Sequence, residues 1–305
     1  MKRILAGLFV VVSSEIGMLL QLEPFWSWHT PIAWTGYILL VDGIVHVRRG
    51  NSWLSDSLPE FAFLAIVSFP LWLVFEFYNL FIRNWHYINL PGNAVLRDVG
   101  HVWAFATIWP AIFETAELVG TLRHPGRLWS GATIADVEAD KHDRVPRRVS
   151  AAGVASMVAG AAMLAWPLVW PSPYLAAPVW LGFIFLLDPL NARLGGQSLV
   201  ADYRRGHVAL SSHVTGGAPS VWVRRTDRAI NLMAGGLVCG FVWECWNYWA
   251  RTKWIYTVPI LEHVKLFEMP LPGYLGFPAF ALECFTMYVT VRLILGRGRG
   301  RPIGL

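Results

Sequence analysis

Long apolar stretches alternate with short polar segments along this chain. Each stretch approaches the length at which an α-helix crosses a lipid bilayer, about 20 residues. The shortest of them ends at Asp188 and Pro189. The pattern predicts an all-α integral membrane protein with about eight transmembrane helices. The predicted spans are residues 4–21, 31–47, 61–82, 100–121, 150–170, 175–190, 229–250 and 273–295.

The composition agrees with this pattern and excludes an ordinary soluble domain. The chain is 55% hydrophobic and 15% charged, with a mean hydropathy of +0.45, far from the balance of soluble proteins. Its three cysteines, Cys239, Cys245 and Cys284, fall in predicted spans without metal-ligand spacing, so neither a disulfide framework nor a zinc site is expected. Because Glu15 interrupts the first apolar run and no cleavage pattern follows, we expect no cleaved signal peptide.

Basic residues are distributed unevenly between the two sides of the predicted bundle. With eight spans, both termini and every second loop share one side, and all but five of the 25 Lys and Arg residues fall there. The positive-inside rule then predicts cytoplasmic termini in a bacterial inner membrane. We interpret the basic tail at 297–305 as a lipid-facing topogenic segment and expect no nucleic-acid partner. The five exceptions are Arg83, Arg97, Arg251, Lys253 and Lys265.

The two halves of the chain share a repeated pattern. Residues 36–42 match 182–188, and the register continues to Ser52 and Ser198. We expect these two serines to cap the segment after a helix-ending turn. An even number of spans in each half makes the halves parallel repeats. The predicted units are a first four-helix repeat at 1–122, a cytoplasmic linker at 123–149 with a short helix near 132–140, a second four-helix repeat at 150–296 with a cytoplasmic insertion at 195–228 that turns at 216–219, and the tail.

Each half also contains a polar stripe within an apolar span. A Glu is followed by Asn three residues later and by Arg seven residues later, offsets that fall on one face of a helix. Ionisable groups inside a membrane are costly and usually face a partner or a cavity. Two interpretations stay open: a network that packs helices together, or a buried acid that donates protons. The stripes are Glu76, Asn79 and Arg83, and Glu244, Asn247 and Arg251.

Further acids and aromatic residues follow the stripes. Glu114 and Glu283 come after helix prolines, and with the stripe acids we expect them to form a ring of four intramembrane carboxyls or to bond neighbouring helices. The histidines lack metal-ligand spacing, so no metal is expected. Trp243 and Trp246 flank the second stripe acid, and aromatic faces stabilise cations.

The segment from Glu244 to Glu283 resembles the membrane-embedded carotenoid cyclases of the lycopene cyclase type. The resemblance rests on the acid and Asn of the second stripe, Trp254-x-Tyr256, the run 267–271 and the run 277–280. The first half echoes it with Glu76, Asn79, Trp85 and Tyr87. The cyclases have fewer spans and a paired acid after the proline, whereas here a single Glu268 precedes the proline.

The resemblance implies acid-catalysed cyclisation, isomerisation or hydration of an isoprenoid lipid, without a metal or redox cofactor. Glu244 would be the proton donor, Asn247 would orient it, and Glu283 or Glu268 would be a second acid or base. The Glu76 set would be a second half-site or a structural relic. The residues implied in substrate binding are Trp243, Trp246, Arg251, Arg83, Trp254 and Tyr256.

Two other classes of function fit the same pattern. Parallel repeats with intramembrane carboxyls are also typical of proton-coupled carriers. The stripes would equally serve as interhelical contacts in a non-catalytic subunit of a larger membrane complex. The sequence leaves the substrate and the oligomeric state open.

Overall fold

The computed structural model describes residues 1–124, 149–205, 208–210, 221–223 and 226–305. In these ranges, seven helical segments are long and apolar enough to cross a membrane, which confirms the all-α integral membrane class. The short helix expected near 132–140 and the turn expected at 216–219 lie outside the described residues. The seven segments are Phe25–Arg49, Leu58–Ile82, Ala94–Arg123, Ala151–Val169, Pro173–Arg193, Asp227–Trp249 and Leu271–Ile294.

Helices form most of the described chain, and its strands are short. The helices are α1 (Lys2–Leu19), α2 (Phe25–Arg49), α3 (Trp53–Asp56), α4 (Leu58–Ile82), α5 (Ala94–Ala106), α6 (Ile108–Arg123), α7 (Ala151–Val169), α8 (Ala176–Arg193), α9 (Leu199–Arg205), α10 (Asp227–Trp249) and α11 (Gly276–Ile294). The strands are β1 (Trp85–Ile88), β2 (Val208–Leu210), β3 (Val221–Val223), β4 (Lys253–Tyr256), β5 (Lys265–Leu266) and β6 (Met269–Pro270). Single 3₁₀ turns at Pro173–Leu175 and Leu271–Leu275 precede α8 and α11.

The first predicted span is α1, which is not among the seven segments. Lys2, Arg3 and Glu15 all fall within its 18 residues, and these three charged residues lower the mean hydropathy of the helix. The helix nevertheless lies antiparallel along α2, since Arg3 pairs with Asp42 near the end of α2 and Ser14 bonds His29 near its start at 2.9 Å. It therefore covers about the same depth of the bundle as α2.

The sequence repeat corresponds to a repeated helix contact. A Cβ atom at Gly7 of α1 would lie 2.4 Å from the backbone nitrogen of Leu40 in α2. A Cβ atom at Gly160 of α7 would lie 2.5 Å from the nitrogen of Leu186 in α8. No side chain fits at either crossing, so the backbones of the two helices in each pair are in contact. Small residues permit this close packing in membrane proteins. Each half therefore begins with the same glycine-mediated helix pair.

Both halves also end that helix pair with the same capped turn. The Asp42 carboxylate accepts a hydrogen bond from the backbone of Leu54 at 2.9 Å, and Asp188 accepts one from Leu199 at 2.8 Å. Ser52 is the N-cap of α3. In the second half, Ser198 accepts from the backbone of Ala201. The predicted capping turns are confirmed.

The basic tail does not face lipid, and that expectation is wrong. Arg301 reaches into the bundle, where its guanidinium lies 3.0 Å from the Glu117 carboxylate and stacks over the Trp53 ring at 5.3 Å. Ile303 is fully buried, and its carbonyl accepts a hydrogen bond from Arg228 at 2.7 Å. The buried carboxylate of Glu117 needs a cation, and the tail supplies one. We call this end of the bundle the tail end.

The opposite end is closed by a ribbon of two strands, β1 and β4, which pair antiparallel. Trp85 lies opposite Tyr256, and Tyr87 lies opposite Trp254. Each strand follows the helix of one polar stripe, so the ribbon joins the two halves. Because alternate residues of a strand share a face, these four aromatic side chains lie on the same face of the ribbon. We call this the ribbon end.

Candidate functional site

Below the ribbon lies a cavity of about 400 Å³ between the two halves. Its wall is mainly aromatic and includes helices from both halves, such as α4 and α10. The volume falls in the range of small-molecule sites, which are typically apolar with a few polar groups. The aromatic residues of the wall are Trp28, Trp34, Trp72, Trp85, Tyr87, Phe105, Tyr174, Trp180, Trp243, Trp254, Tyr256, Phe277 and Phe280.

Glu244 lies directly behind this wall. Its carboxyl group is fully buried, and one oxygen accepts a hydrogen bond from the Tyr256 hydroxyl at 2.8 Å. The indole N–H of Trp254 donates in turn to that hydroxyl at 2.9 Å. The other carboxyl oxygen has no hydrogen-bond partner among the described residues. Tyr256 lines the cavity, so its phenol separates the carboxyl group from the space beyond.

Glu76 occupies the equivalent position in the first half but has more hydrogen bonds. One of its oxygens accepts from the Tyr87 hydroxyl at 2.6 Å, the Trp72 indole at 2.8 Å and the Trp85 indole at 3.2 Å. The two stripe acids thus share a position in the repeat and differ in their environment.

The sequence explains this difference. Trp72 precedes Glu76 by four residues, one helical turn, and donates to it. Glycine occupies the corresponding position in the second half, where Gly240 precedes Glu244 by four residues. The ring of Phe277 fills the space there, so that a Cβ atom at Gly240 would lie only 2.1 Å from it. Glu244 therefore lacks the donor that its counterpart has.

The asparagines of the stripes anchor the ribbon. Asn79 donates to the carbonyl of Trp85 at 2.8 Å, and its own side-chain oxygen accepts from the backbone of Asn84. Asn247 donates to the carbonyl of Trp254 at 2.8 Å and accepts from the nitrogen of the same residue at 2.9 Å. Asn247 does not orient Glu244 directly, as the resemblance implied. It fixes the strand on which Tyr256 lies.

The stripe arginines do not belong to the site. Because α4 ends at Ile82 and α10 at Trp249, Arg83 and Arg251 lie beyond the helices and leave the stripe face. Both are exposed, and neither lines the cavity. Arg251 lies 3.7 Å from Glu23 on the surface. Their expected place on the stripe is wrong. The structure does not bring them to the cavity wall, and their role in substrate binding stays a prediction.

The two tryptophans beside Glu244 have different surroundings. Trp243 lines the cavity and packs against Trp34, Trp72 and Trp254 with ring centroids 5.6–5.9 Å apart. Trp246 does not line it. Its indole instead donates to the Glu15 carboxylate in α1 at 2.6 Å, and it joins α1 to α10. Of the pair, only Trp243 is placed to contact a ligand.

The remaining predicted acids make no hydrogen bond to Glu244 among the described residues. Glu268 forms an ion pair with Lys253 at 2.7 Å. Glu283 is buried, and one of its oxygens accepts from the backbone of Phe183 in α8 at 3.2 Å. Glu114 is buried without a hydrogen-bond partner among the described residues. Within the described ranges, no hydrogen bond joins Glu76, Glu114, Glu244 and Glu283 to one another, and the ring of four stays a prediction.

The phenols of the ribbon remain neutral hydroxyl groups under ordinary conditions. Burial, reinforced by the carboxylate of Glu76, raises the pKa of Tyr87 well above its usual value of 10.0. Burial and the carboxylate of Glu244 do the same to the pKa of Tyr256. Each hydroxyl can therefore pass a proton between its carboxyl group and the cavity while remaining protonated at rest.

Comparisons with protein-family models, curated proteins and solved structures gave no match.

Sequence reasoning missed several residues of the cavity wall. Trp34 precedes Gly36 by two residues, as Trp180 precedes Gly182, so the recognised repeat already contained the signal for this pair. His101 also lines the cavity, and its ring stacks on Phe105 at 5.5 Å. Within the described part of the chain, no group of three or more His, Cys, Asp or Glu residues could hold a metal ion.

Proposed function

We propose that this protein is a membrane enzyme that protonates an unsaturated isoprenoid-type lipid and so starts its cyclisation, isomerisation or hydration. The observation that supports it is the buried carboxyl group of Glu244 hydrogen-bonded to Tyr256, a phenol on the wall of an aromatic cavity. An acid next to an apolar, aromatic space suits the protonation of a carbon–carbon double bond. A polar substrate would leave most of this wall without complementary contacts.

In the proposed first step, neutral Glu244 donates its proton to the oxygen of Tyr256. The phenol hydrogen turns to the cavity and is transferred to a carbon of the substrate, with the π electrons forming the new C–H bond. The carbocation then lies among the ring faces of Trp243, Trp72 and Trp34, which stabilise positive charge. Loss of a proton from a neighbouring carbon, or attack by water, ends the reaction and restores the acid.

The two stripe acids differ in suitability for this role. Glu244 accepts a hydrogen bond from one side chain, and its second oxygen, which has no hydrogen-bond partner among the described residues, can carry the proton. Glu76 accepts hydrogen bonds from three side chains, two of them on the ribbon. We therefore assign proton donation to Glu244. Glu76 then holds Tyr87 and Trp85 in place as a hydrogen-bond acceptor.

We further propose that the protein lies in a bacterial inner membrane with both termini cytoplasmic. The excess of Lys and Arg at the tail end supports this orientation through the positive-inside rule. The cavity and its ribbon would then face the periplasmic side. Protease protection of an epitope fused to the carboxyl terminus, in right-side-out and inverted vesicles, tests the orientation.

The experiment for the function compares lipids from wild-type protein and Glu244→Gln in native-lipid nanodiscs by mass spectrometry. We expect an isoprenoid bound to the wild type and its unreacted precursor enriched at least tenfold in the variant. Glu262→Gln, an exposed carboxyl at the ribbon end, is the matched control and should resemble the wild type. Detection of bulk phospholipid alone in all three samples would refute the proposed enzyme activity.

A carrier is the second candidate, and the position of the cavity favours it. The cavity lies between two parallel halves, where carriers bind their substrates. A carrier would bind the same compound in the wild type and in Glu244→Gln without any chemical change, whereas the enzyme would not. A subunit without activity would show no specific lipid, and Glu244→Gln would leave its complex intact.

A further inference from the structure

The cavity has two flanks that are related by the repeat, and they differ. On the first flank, the start of α2 meets α5. Trp28 packs edge-on against Trp103 with ring centroids 5.9 Å apart. It also covers Gly100, where a Cβ atom would lie 3.2 Å from the Trp28 indole nitrogen. On this flank, the large side chain of Trp28 therefore covers Gly100.

The second flank is formed by the starts of α8 and α11. These helices run parallel from the ribbon end, since Phe183 donates to Glu283 and Asn191 bonds the carbonyl of Thr286 further along. Tyr174 and Leu275, immediately before the two helices, line the cavity and are 62% and 79% exposed. Residues that are both exposed and part of a cavity wall lie at its opening.

Gly276 gives a second, independent observation on this flank. It lines the cavity, and a Cβ atom added to it would meet no atom within 4 Å. Its backbone is right-handed helical, with φ −71°, so the absence of a side chain is not needed for the chain's path. The glycine on the first flank, Gly100, is instead covered by Trp28. Only the second flank has unfilled space beside its glycine.

The chemistry of this opening is apolar. Its wall includes Ala176, Ala177 and Leu181 beside Tyr174 and Leu275. The charged residues of the cavity wall lie on other elements and have partners. Arg97 in α5 pairs with Asp98 at 3.0 Å, and Lys253 in β4 pairs with Glu268 at 2.7 Å. An opening without charge suits a hydrocarbon chain.

We infer that the hydrocarbon chain of a membrane lipid reaches the cavity sideways from the bilayer, through a gap between the starts of α8 and α11. This inference rests on the proposed lipid-binding function of the cavity. The gap lies at the end of two membrane-spanning helices, where a lipid chain is already present. A substrate that is insoluble in water then never leaves the apolar phase.

The test is the rate at which a photoreactive isoprenoid labels the cavity. Protein in nanodiscs is mixed with vesicles that contain a diazirine-tagged polyprenol and is irradiated at increasing times. Labelled peptides with Trp243 or Phe280 are measured by mass spectrometry. The blocking variant is Gly276→Trp, at a position where an added Cβ atom meets no atom within 4 Å. The matched control is Gly92→Trp, at another glycine of the ribbon end with open space around it and no part in the cavity wall.

We expect the initial rate of cavity labelling to fall at least tenfold in Gly276→Trp and to stay within twofold of wild type in Gly92→Trp. Leu275→Trp, at an exposed rim residue, provides a second blocking variant if Gly276→Trp is not folded. Unchanged rates in a folded blocking variant would overturn the lateral opening and leave the cavity a lipid site. Absence of cavity labelling in the wild type would refute the lipid site, and the opening with it.

Discussion

The asymmetry between the two acids gives a quantitative prediction for Tyr256→Phe and Tyr87→Phe. Both changes delete one phenol hydroxyl that donates to a buried or half-buried carboxyl group. They differ in what remains. Glu76 keeps the indoles of Trp72 and Trp85 as donors. In the other half, the deleted hydroxyl leaves two groups without a partner, because the Trp254 indole donates to it as well.

The magnitude follows from these partners. A side-chain hydrogen bond in a membrane protein contributes about 0.6 kcal/mol to stability, which is our expectation for Tyr87→Phe. A buried polar group without a partner costs about 1–3 kcal/mol. Tyr256→Phe leaves two such groups, Glu244 and the Trp254 indole, so we expect it to lower the free energy of unfolding by about 3 kcal/mol. A Trp254→Phe background should reduce that loss, because one of the two groups is then absent.

The assay uses the cysteines as probes of unfolding. Cys239 and Cys284 are buried and free, and Cys245 is partly buried, so a fluorogenic maleimide reacts mainly after the helices separate. A titration with dodecyl sulfate in mixed micelles, extrapolated linearly, gives the free energy of unfolding. If Tyr87→Phe were as destabilising as Tyr256→Phe, the difference in partners would not control stability and the reasoning would be refuted.

Two further predictions test the repeat and the ribbon. Gly160→Leu should destabilise the protein by about 3 kcal/mol or prevent folding, since its side chain would meet the backbone of Leu186. Gly92→Leu, in open space, should stay within about 0.5 kcal/mol in the same titration. The folded pKa values of Tyr87 and Tyr256 lie above the unfolded value of about 10. Unfolding therefore releases protons at high pH, and the stability from these phenols is present below about pH 10 and is lost as the pH rises through the folded values. As the pH rises above about 10, the midpoint temperature of thermal unfolding should decrease. It should decrease less steeply in the Tyr87→Phe/Tyr256→Phe double variant.

The sequence was sufficient for the class of fold and for the repeated pattern at 36–42 and 182–188. Apolar length and composition identify membrane helices because lipid requires them. The match of 36–42 with 182–188 located a contact that recurs in both halves. The same register relates Trp34 to Trp180, which both line the cavity, although neither was predicted as a site residue. Local periodicity and internal repetition thus predict features that form within each half.

Other features depend on contacts between distant segments, which periodicity does not contain. The stripe arginines were assigned to a helix face that ends before them, because helix ends are the least certain part of such predictions. The tail is buried because of partners that lie far away in sequence, among them Glu117, Trp53 and Arg228. Pairing of β1 with β4 likewise brings together segments that are each only four residues long.

The ribbon also bears on how the two halves can differ. Two copies of a single half-chain could associate through the same antiparallel pairing. The tryptophan of each strand would then lie opposite the tyrosine of the other strand, as Trp85 lies opposite Tyr256, across a true two-fold axis. In such a homodimer, any bulky side chain that closed one flank would close the other, and any residue that saturated one carboxyl group would saturate both. Joining the halves in one chain removes that constraint. Trp28 can then cover Gly100 on one flank while the space beside Gly276 on the other stays unfilled, and Trp72 can donate to Glu76 while Gly240 leaves Glu244 without that donor.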